Sequence, residues 1–135
     1  MNDGSVAIQW SSVTISLPTG DPVVDSVVAG ITRVLEAAHA RKPDARIVLQ
    51  SLLPTNDPPR NRDVVIAVNA RIEALAMRRP YADYTVFLDL YPLFTDSAGS
   101  QNAAFFVTDG VHPNDAGYRV WSRRLLPFLN QLRRQ

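Results

Sequence analysis

The sequence contains no cysteine, which excludes disulfide bonds, thiolate catalysis and cysteine-ligated metal sites. Long apolar runs are also absent, since no stretch approaches the roughly 18 residues that a membrane-spanning helix needs. Residues 1–20 have no basic start, and polar residues interrupt their apolar ones, which does not fit a signal peptide. We therefore expect a soluble domain without a membrane span, whose compartment the sequence leaves open.

An excess of charge of either sign is missing as well. The 14 Lys and Arg residues nearly balance the 13 Asp and Glu residues, for a net charge of +1. Because phosphate binding needs a concentrated basic surface, this balance argues against nucleic acid as the main partner. No cluster of His, Asp and Glu has the spacing of metal ligands, so we expect no metal ion.

The residues that are present describe an ordinary globular domain. The chain has 135 residues, of which 46% are hydrophobic, enough for one compact domain with a buried core. Its C-terminal two-thirds alternates strand and helix patterns, which predicts an α/β fold with a parallel sheet. Wholly apolar runs predict strands at about 46–51 and 84–89, buried on both faces. Helical spacing of apolar residues predicts helices over about 22–41, 61–78 and 114–133.

Shorter signals refine this outline. Asp21-Pro22 combines an N-cap oxygen with proline at the first helical position and so predicts the start of the first helix. Alternation over residues 13–17 predicts a short half-buried strand, and Pro127 predicts a kink in the last helix. Residues 91–108 have little periodicity and predict a long loop of the kind that often carries function. The apolar face of the last predicted helix comprises Tyr118, Trp121, Leu125, Phe128, Leu129 and Leu132.

The stretch that carries chemistry is TDGVHPNDAGY, at residues 108–118. Within a single turn, Asp109 can accept a hydrogen bond from the Nδ1–H of His112, which fixes the tautomer and leaves Nε2 free as a general base. Pro113 and Asn114 form a helix-entry signal directly after this turn. An Asp-x-x-His pair alone is commonly a loop hydrogen bond, but the further Gly, Pro, Asn and Gly-Tyr at fixed positions argue against a chance match.

Together these residues resemble a known enzyme family. Asp-Gly-x-His-Pro-Asn-x-x-Gly-Tyr at 109–118, followed by an amphipathic helix, resembles the last signature block of the SGNH/GDSL hydrolases. Upstream, residues 43–54 resemble the family's strand and its following Leu-Leu-Pro, Asn69 matches a frequent asparagine, and residues 87–89 match the strand before the active-site loop. The resemblance covers roughly residues 22–133. It implies a flavodoxin-like three-layer α/β/α sandwich with a parallel sheet.

The resemblance also implies residue roles. Asp109 would orient the histidine, and His112 would act first as general base and then as general acid. The family takes its nucleophilic serine from a Gly-Asp-Ser motif after its first strand, but at residues 20–22 this sequence reads Gly-Asp-Pro. The family's oxyanion-hole glycine is not visible either. The remaining polar candidates are interpreted as non-catalytic: His39 on a helix surface, Ser51 in the pocket wall and Asp89 in a structural position.

The family's third block is Gly-x-Asn-Asp, whose first asparagine donates to the oxyanion. Asn2-Asp3 resembles a remnant of that block, so the resemblance implies Asn2 as the oxyanion donor. On this interpretation residues 1–135 form a single SGNH hydrolase-like domain that is N-terminally truncated and lacks the first strands of the sheet. The uncovered sheet edge predicts poor stability or self-association, so a homodimer or a missing N-terminal half are the expected macromolecular partners.

Different functions remain open at this point. The first is a carboxylic ester hydrolase of the SGNH class, which uses Ser-His-Asp chemistry without a metal or cofactor on small acyl esters of carbohydrates or lipids. This chain would hold the His/Asp half and be nearly inactive alone. The second is a catalytically inactive fragment or pseudo-enzyme that binds a ligand or partner. A third interpretation is an α/β domain whose Asp–His pair only caps a helix. The sequence leaves open whether the nucleophile half is lost, separate or encoded upstream.

Overall fold

The computed structural model describes the backbone of residues 5–10, 13–18, 20–56 and 59–135, and the side chains of residues 20–56 and 61–135. The strands are β1 (Ser5–Trp10), β2 (Val13–Pro18), β3 (Ile47–Gln50) and β4 (Thr85–Leu88), and the α-helices are α1 (Pro22–Arg41), α2 (Pro59–Ala76) and α3 (Asp115–Arg133). Short 3-10 turns cover Tyr81–Asp83, Tyr91–Phe94 and Ala103–Phe105.

Strands β3 and β4 pair in parallel, as the sequence predicted. The register aligns Ile47 with Thr85 and Gln50 with Leu88. The Ser51 N–H continues the pairing by donating to the Leu88 carbonyl at 3.0 Å. Because the strands run in the same direction, the loops that follow them leave from the same edge of the sheet, here called the carboxyl edge.

The helices cover both faces of this sheet, which confirms the predicted three-layer α/β/α arrangement. On one face Leu49 and Phe87 pack against a core built from α1, α2 and Tyr91. On the other face Val48 and Leu88 belong to a second core with α3 and the loop after β4. Neighbouring strand residues therefore serve opposite cores, as the period-two alternation of a strand requires. Apolar residues therefore occur on both faces of the pair, since helices pack against both.

The helix starts follow the capping signals in the sequence. Asp21 Oδ1 accepts hydrogen bonds from the N–H groups of Val23 and Val24 at 3.0 and 3.2 Å, as expected for an N-cap followed by proline. Asn114 caps α3 in the same way, with its Oδ1 accepting from the Gly117 N–H at 2.9 Å. Helix α3 continues through Pro127 to Arg133.

The structure corrects some expectations. Both strands were predicted to be buried on both faces, but β3 is half-buried along its whole length and β4 is buried only at Thr85 and Leu88. Within the described part of the chain the two strands pair only with each other. The strand predicted at 13–17 is confirmed as β2, whereas β1, with which β2 forms an antiparallel pair, was not predicted. Tyr118, predicted on the apolar face of the last helix, is 52% exposed.

Two features complete the outline of the fold. Strands β1 and β2 both lie against α2, on the side of the molecule that carries the first core. Of the helices described, none is long and apolar enough to cross a membrane.

Candidate active site

The loops at the carboxyl edge are held by side chains that take the place of missing backbone partners. Asn69, fully buried in α2, accepts from the Leu52 N–H at 2.7 Å and donates to the Leu52 carbonyl at 3.0 Å. A single amide therefore satisfies both backbone groups of Leu52, as a neighbouring strand would. This anchors the loop that follows β3 on the side where the Asp109–His112 turn lies.

Asp109 and His112 form a dyad within one turn. His112 Nδ1 lies 2.5 Å from Asp109 Oδ2. The other carboxylate oxygen, Oδ1, accepts from the backbone N–H groups of Val111 and His112 at 2.8 and 3.0 Å. With Nδ1–H directed at the carboxylate, the geometry leaves the opposite ring nitrogen, Nε2, available to accept a proton. The imidazole is 72% exposed and the carboxylate 46% exposed.

The dyad carboxylate is held in its charged form. Hydrogen bonds from the His112 N–H, from the His112 side chain and from the Val111 N–H lower the pKa of Asp109 to about 2, against a small opposing effect of desolvation. At neutral pH Asp109 is therefore an anion that accepts from the imidazole. This is the charge state that an orienting acid needs when a histidine becomes an imidazolium.

The turn that carries the dyad is anchored to the loop after β3. The Gly110 carbonyl accepts from the Asn56 N–H at 3.0 Å and from Gln101 Nε2 at 2.7 Å. Gln101 Nε2 also donates to the Pro54 carbonyl at 2.9 Å. Gly110 has a φ of +68°, and a Cβ there would lie 2.5 Å from Asn56 Cβ. Glycine is required both by the left-handed backbone and by this close approach.

The same turn is closed at its base and joined to α3. The Val107 N–H donates to the His112 carbonyl at 2.9 Å, and the Asn114 N–H donates to the Phe105 carbonyl at 2.9 Å. Gly117, in the first turn of α3, comes so close to this loop that a Cβ would lie 2.2 Å from the Phe105 carbonyl oxygen. His112 therefore sits between a closed turn and a capped helix, on a rigid support.

Ser51, the serine at the end of β3, has a structural role in this arrangement. It is buried, with 5% exposure, and its Oγ accepts from the Leu90 and Tyr91 N–H groups at 2.8 and 3.0 Å. These bonds hold the chain as it leaves β4. The contacts agree with the interpretation of Ser51 as part of the wall and not as a nucleophile.

The other candidates lie apart from the dyad or outside the described residues. Asp89 Oδ1 accepts from the Tyr91 N–H at 3.3 Å, within its own loop. His39 stacks on Tyr84 with ring centroids 3.7 Å apart, near the start of β4 and so at the opposite edge of the sheet. Asn2 lies outside the described residues. Over the ranges the structure describes, no group of three His, Asp or Glu side chains could hold a metal ion.

Most of the chain matches the sequence profile of a known family. Residues 1–120 match the profile of the GDSL-like lipase/acylhydrolase family. The chain belongs to this family. The match confirms the resemblance carried by the motif at 109–118 and by the strand and helix patterns upstream of it. No curated protein matches the sequence.

Solved structures of a GDSL-like lipase and of esterases share the fold. A GDSL-like lipase from Bacteroides thetaiotaomicron is 26% identical, with a TM-score of 0.61, over 81% of this chain and 53% of that one. A carbohydrate esterase family 3 protein from Talaromyces cellulolyticus is also 26% identical, with a TM-score of 0.65, over 81% of this chain and 49% of that one. The esterase domain of a zebrafish retrotransposon protein, 18% identical, has a TM-score of 0.67 over 79% of this chain and 63% of that one. The chain spans about half the length of most of these structures.

Sequence reasoning missed the residues that support the dyad. Asn56 carries no signal of its own in the sequence, and Gln101 lies in the stretch 91–108, which has little periodicity. Both act through contacts with Gly110 that join distant parts of the chain. The signal that could have indicated them was Gly110 itself, because a glycine inside a functional turn often marks a close approach of two backbones.

Proposed function

We propose that this chain supplies the histidine and the aspartate of a GDSL-type serine esterase that hydrolyses small acyl esters of carbohydrates or lipids. The observation that carries the proposal is the 2.5 Å contact between His112 Nδ1 and Asp109 Oδ2. The family membership of the chain supports the same chemistry.

In this mechanism His112 Nε2 takes the proton of a serine hydroxyl as the oxygen attacks the ester carbonyl. Asp109 holds the ring in the required tautomer and stabilises the imidazolium that forms. His112 then gives the proton to the departing alkoxide, which completes the acyl-enzyme. In the second half of the reaction His112 Nε2 takes a proton from a water molecule as its oxygen attacks the acyl carbon. The acyl–serine bond then breaks, His112 returns the proton to the serine oxygen, and the carboxylic acid leaves. Asn2 is proposed as the oxyanion donor.

The nucleophile is not assigned to any residue of these 135. The sequence has no Gly-Asp-Ser motif, and the Oγ of Ser51 is engaged by two backbone N–H groups. This observation favours a second candidate function, an esterase-like domain that binds a ligand or a partner without chemistry. The two candidates differ in whether hydrolysis returns when a serine is supplied.

The test is hydrolysis of p-nitrophenyl acetate by the purified chain, alone and with a polypeptide from a homologous esterase that bears Gly-Asp-Ser. The chain alone should turn over near background, because loss of a triad member costs about 10⁴–10⁶-fold in turnover. Addition of the second polypeptide should restore turnover that His112→Ala abolishes. His39→Ala is the matched control, since it removes the other histidine and should leave the restored turnover unchanged.

Other outcomes would separate the alternatives. Robust turnover by the chain alone that Ser51→Ala abolishes would show that Ser51 is the nucleophile. Turnover by the chain alone that only His112→Ala removes would indicate a histidine-activated water. Failure of every Gly-Asp-Ser polypeptide to restore turnover, despite measurable association with the chain, would favour the non-enzymatic function.

A further inference from the structure

The side chain of Tyr118 is an aromatic ring that the fold leaves open. Its spacing places it on the apolar face of α3, yet it is 52% exposed. Its neighbour on that face, Trp121, is partly buried in the core that lies under α3. An exposed aromatic ring at the border of a core is a common feature of ligand-contacting surfaces, because it offers apolar area with few rotatable bonds.

The two rings form a fixed pair. The planes of Tyr118 and Trp121 are within 10° of parallel, and their centroids are 6.1 Å apart. The indole N–H of Trp121 donates to Gln50 Oε1 at 2.7 Å, which fixes the indole relative to the end of β3. Tyr118 therefore rests on a partner whose orientation is set by the sheet. We call these two side chains the aromatic platform.

The aromatic platform stands on the same edge of the sheet as the dyad. Tyr118 lies at the start of α3, whose N-cap residue Asn114 follows His112 by two positions. Gln50 is the last residue of β3, so the bond to Trp121 is made at the carboxyl edge. A substrate whose ester lies at His112 could therefore extend its remaining part over the platform.

We propose that the aromatic platform binds the sugar ring of a carbohydrate ester, with Tyr118 as the residue that determines this specificity. The inference rests on the proposed function, because it assigns the non-reacting part of that substrate. The C–H bonds on one face of a pyranose carry a slight positive charge and fit the negative face of an aromatic ring. The sugar hydroxyls then remain at the periphery of the contact and stay hydrated.

A lipid ester would gain less from this surface. An alkyl chain is favoured by enclosure, since its binding energy scales with the apolar area removed from water. A half-exposed ring on an open surface removes little area from a flexible chain, whereas a rigid sugar face can cover it in one orientation. The platform therefore selects the carbohydrate alternative from the two substrate classes.

Binding by nuclear magnetic resonance tests the inference without requiring turnover. The probes are a monoacetylated methyl β-D-xylopyranoside and, for comparison, the glycerol ester of octanoic acid. Saturation transfer should reach the protons on one face of the xylose ring, and the indole N–H signal of Trp121 should shift. Tyr118→Leu should weaken sugar binding by about 2- to 12-fold, which corresponds to the usual contribution of an aromatic pair. Tyr118→Phe should retain it.

Leu126→Ala is the matched control, because Leu126 is a comparably exposed apolar residue of α3 that lies two turns further on. Its removal should leave sugar binding unchanged. Absence of sugar binding, or equal affinity in Tyr118→Leu, would overturn the inference. Stronger binding of the octanoyl ester with the same dependence on Tyr118 would overturn it in favour of an acyl chain.

The experiment separates this inference from the proposed function. Sugar binding through Tyr118 in a chain that never regains hydrolysis would sustain the platform and refute the esterase chemistry. Restored hydrolysis with no effect of Tyr118→Leu on sugar binding would sustain the esterase chemistry and refute the role of the aromatic platform.

Discussion

The carboxylate of Asp109 divides its two oxygens between the backbone and the imidazole. Oδ1 accepts from two N–H groups of its own turn, and Oδ2 faces His112 Nδ1. The turn therefore fixes the position of the carboxylate independently of the histidine. This division of roles explains how an exposed side chain can hold another in one orientation.

At the residue scale we expect Asp109 to titrate with a pKa of about 2. This folded pKa lies below the ordinary value of about 3.9 that the group has in the unfolded chain. The ionised carboxylate therefore stabilises the fold fully above about pH 3.9, and this stabilisation is lost as the pH falls through the folded pKa. A pH titration of the Asp109 carboxyl carbon by nuclear magnetic resonance measures this pKa. In His112→Ala the two backbone hydrogen bonds to Oδ1 remain, so the pKa of Asp109 should rise only part of the way to its ordinary value. An ordinary value in the native chain would contradict the geometry.

Ser51 supports a second prediction at this scale. Replacing it by alanine leaves the Leu90 and Tyr91 N–H groups without the Oγ acceptor in a buried place, which should lower the free energy of unfolding by about 1–3 kcal/mol. Urea denaturation measures the change. Ser122→Ala, at an exposed position of α3, should stay within about 0.5 kcal/mol of the native chain. If Ser51→Ala is equally neutral, the buried hydrogen bonds are not formed.

At the scale of elements, the approach of α3 to the dyad loop depends on the absence of one side chain. Gly117→Ala would place a Cβ 2.2 Å from the Phe105 carbonyl oxygen, so we expect a loss of about 1–3 kcal/mol in the free energy of unfolding. The His112 ring signals should shift as well, since the helix must move away from the loop that carries it.

Gly30, in the middle of α1, provides the opposite case for the same substitution. Apart from its two chain neighbours and the backbone of its own helix, no atom lies within 4 Å of the Cβ that alanine would add there. Gly30→Ala should therefore raise the free energy of unfolding by about 0.5–1 kcal/mol through helix propensity alone. Thermal denaturation of the two variants compares them directly, and destabilisation of both to the same degree would contradict the described packing.

Elements with strong local signals could be predicted from the sequence, and so could the dyad. The N-cap at Asp21, the parallel strands and the Asp109–His112 contact all arise within short segments or from a regular period. The half-buried state of β3 and the exposure of Tyr118 could not be predicted, because both depend on what lies beside the element in space. The contacts of Gln101 depend likewise on a residue nine positions away and on another loop.

At the scale of the whole molecule, large apolar side chains remain at the surface. Val34, Met77 and Leu126 are 69%, 72% and 58% exposed. Beside β3, a groove of about 550 Å³ is lined by Val48, Leu126 and other residues near the end of α3. Open strand edges and exposed apolar side chains of this kind favour association between chains.

We therefore expect the chain to self-associate as its concentration rises, and Leu126→Gln to reduce that association without loss of helix content. Sedimentation velocity measures the first effect and circular dichroism the second. Val34→Gln, a comparably exposed change on α1, tests whether the groove or general surface hydrophobicity is responsible. Equal effects of both changes would assign the association to the surface as a whole, and a monomeric native chain would refute the prediction.

The amide of Gln101 also governs how the site moves. It joins the loop after β3, through Pro54, to the turn that carries the dyad, through Gly110. The Asn56 N–H meets the same Gly110 carbonyl, so opening either loop alone breaks bonds that belong to both. The two loops should therefore open together. The rate of deuterium uptake at the Asn56 amide would then report how often the turn that carries His112 opens, although Asn56 does not contact the histidine.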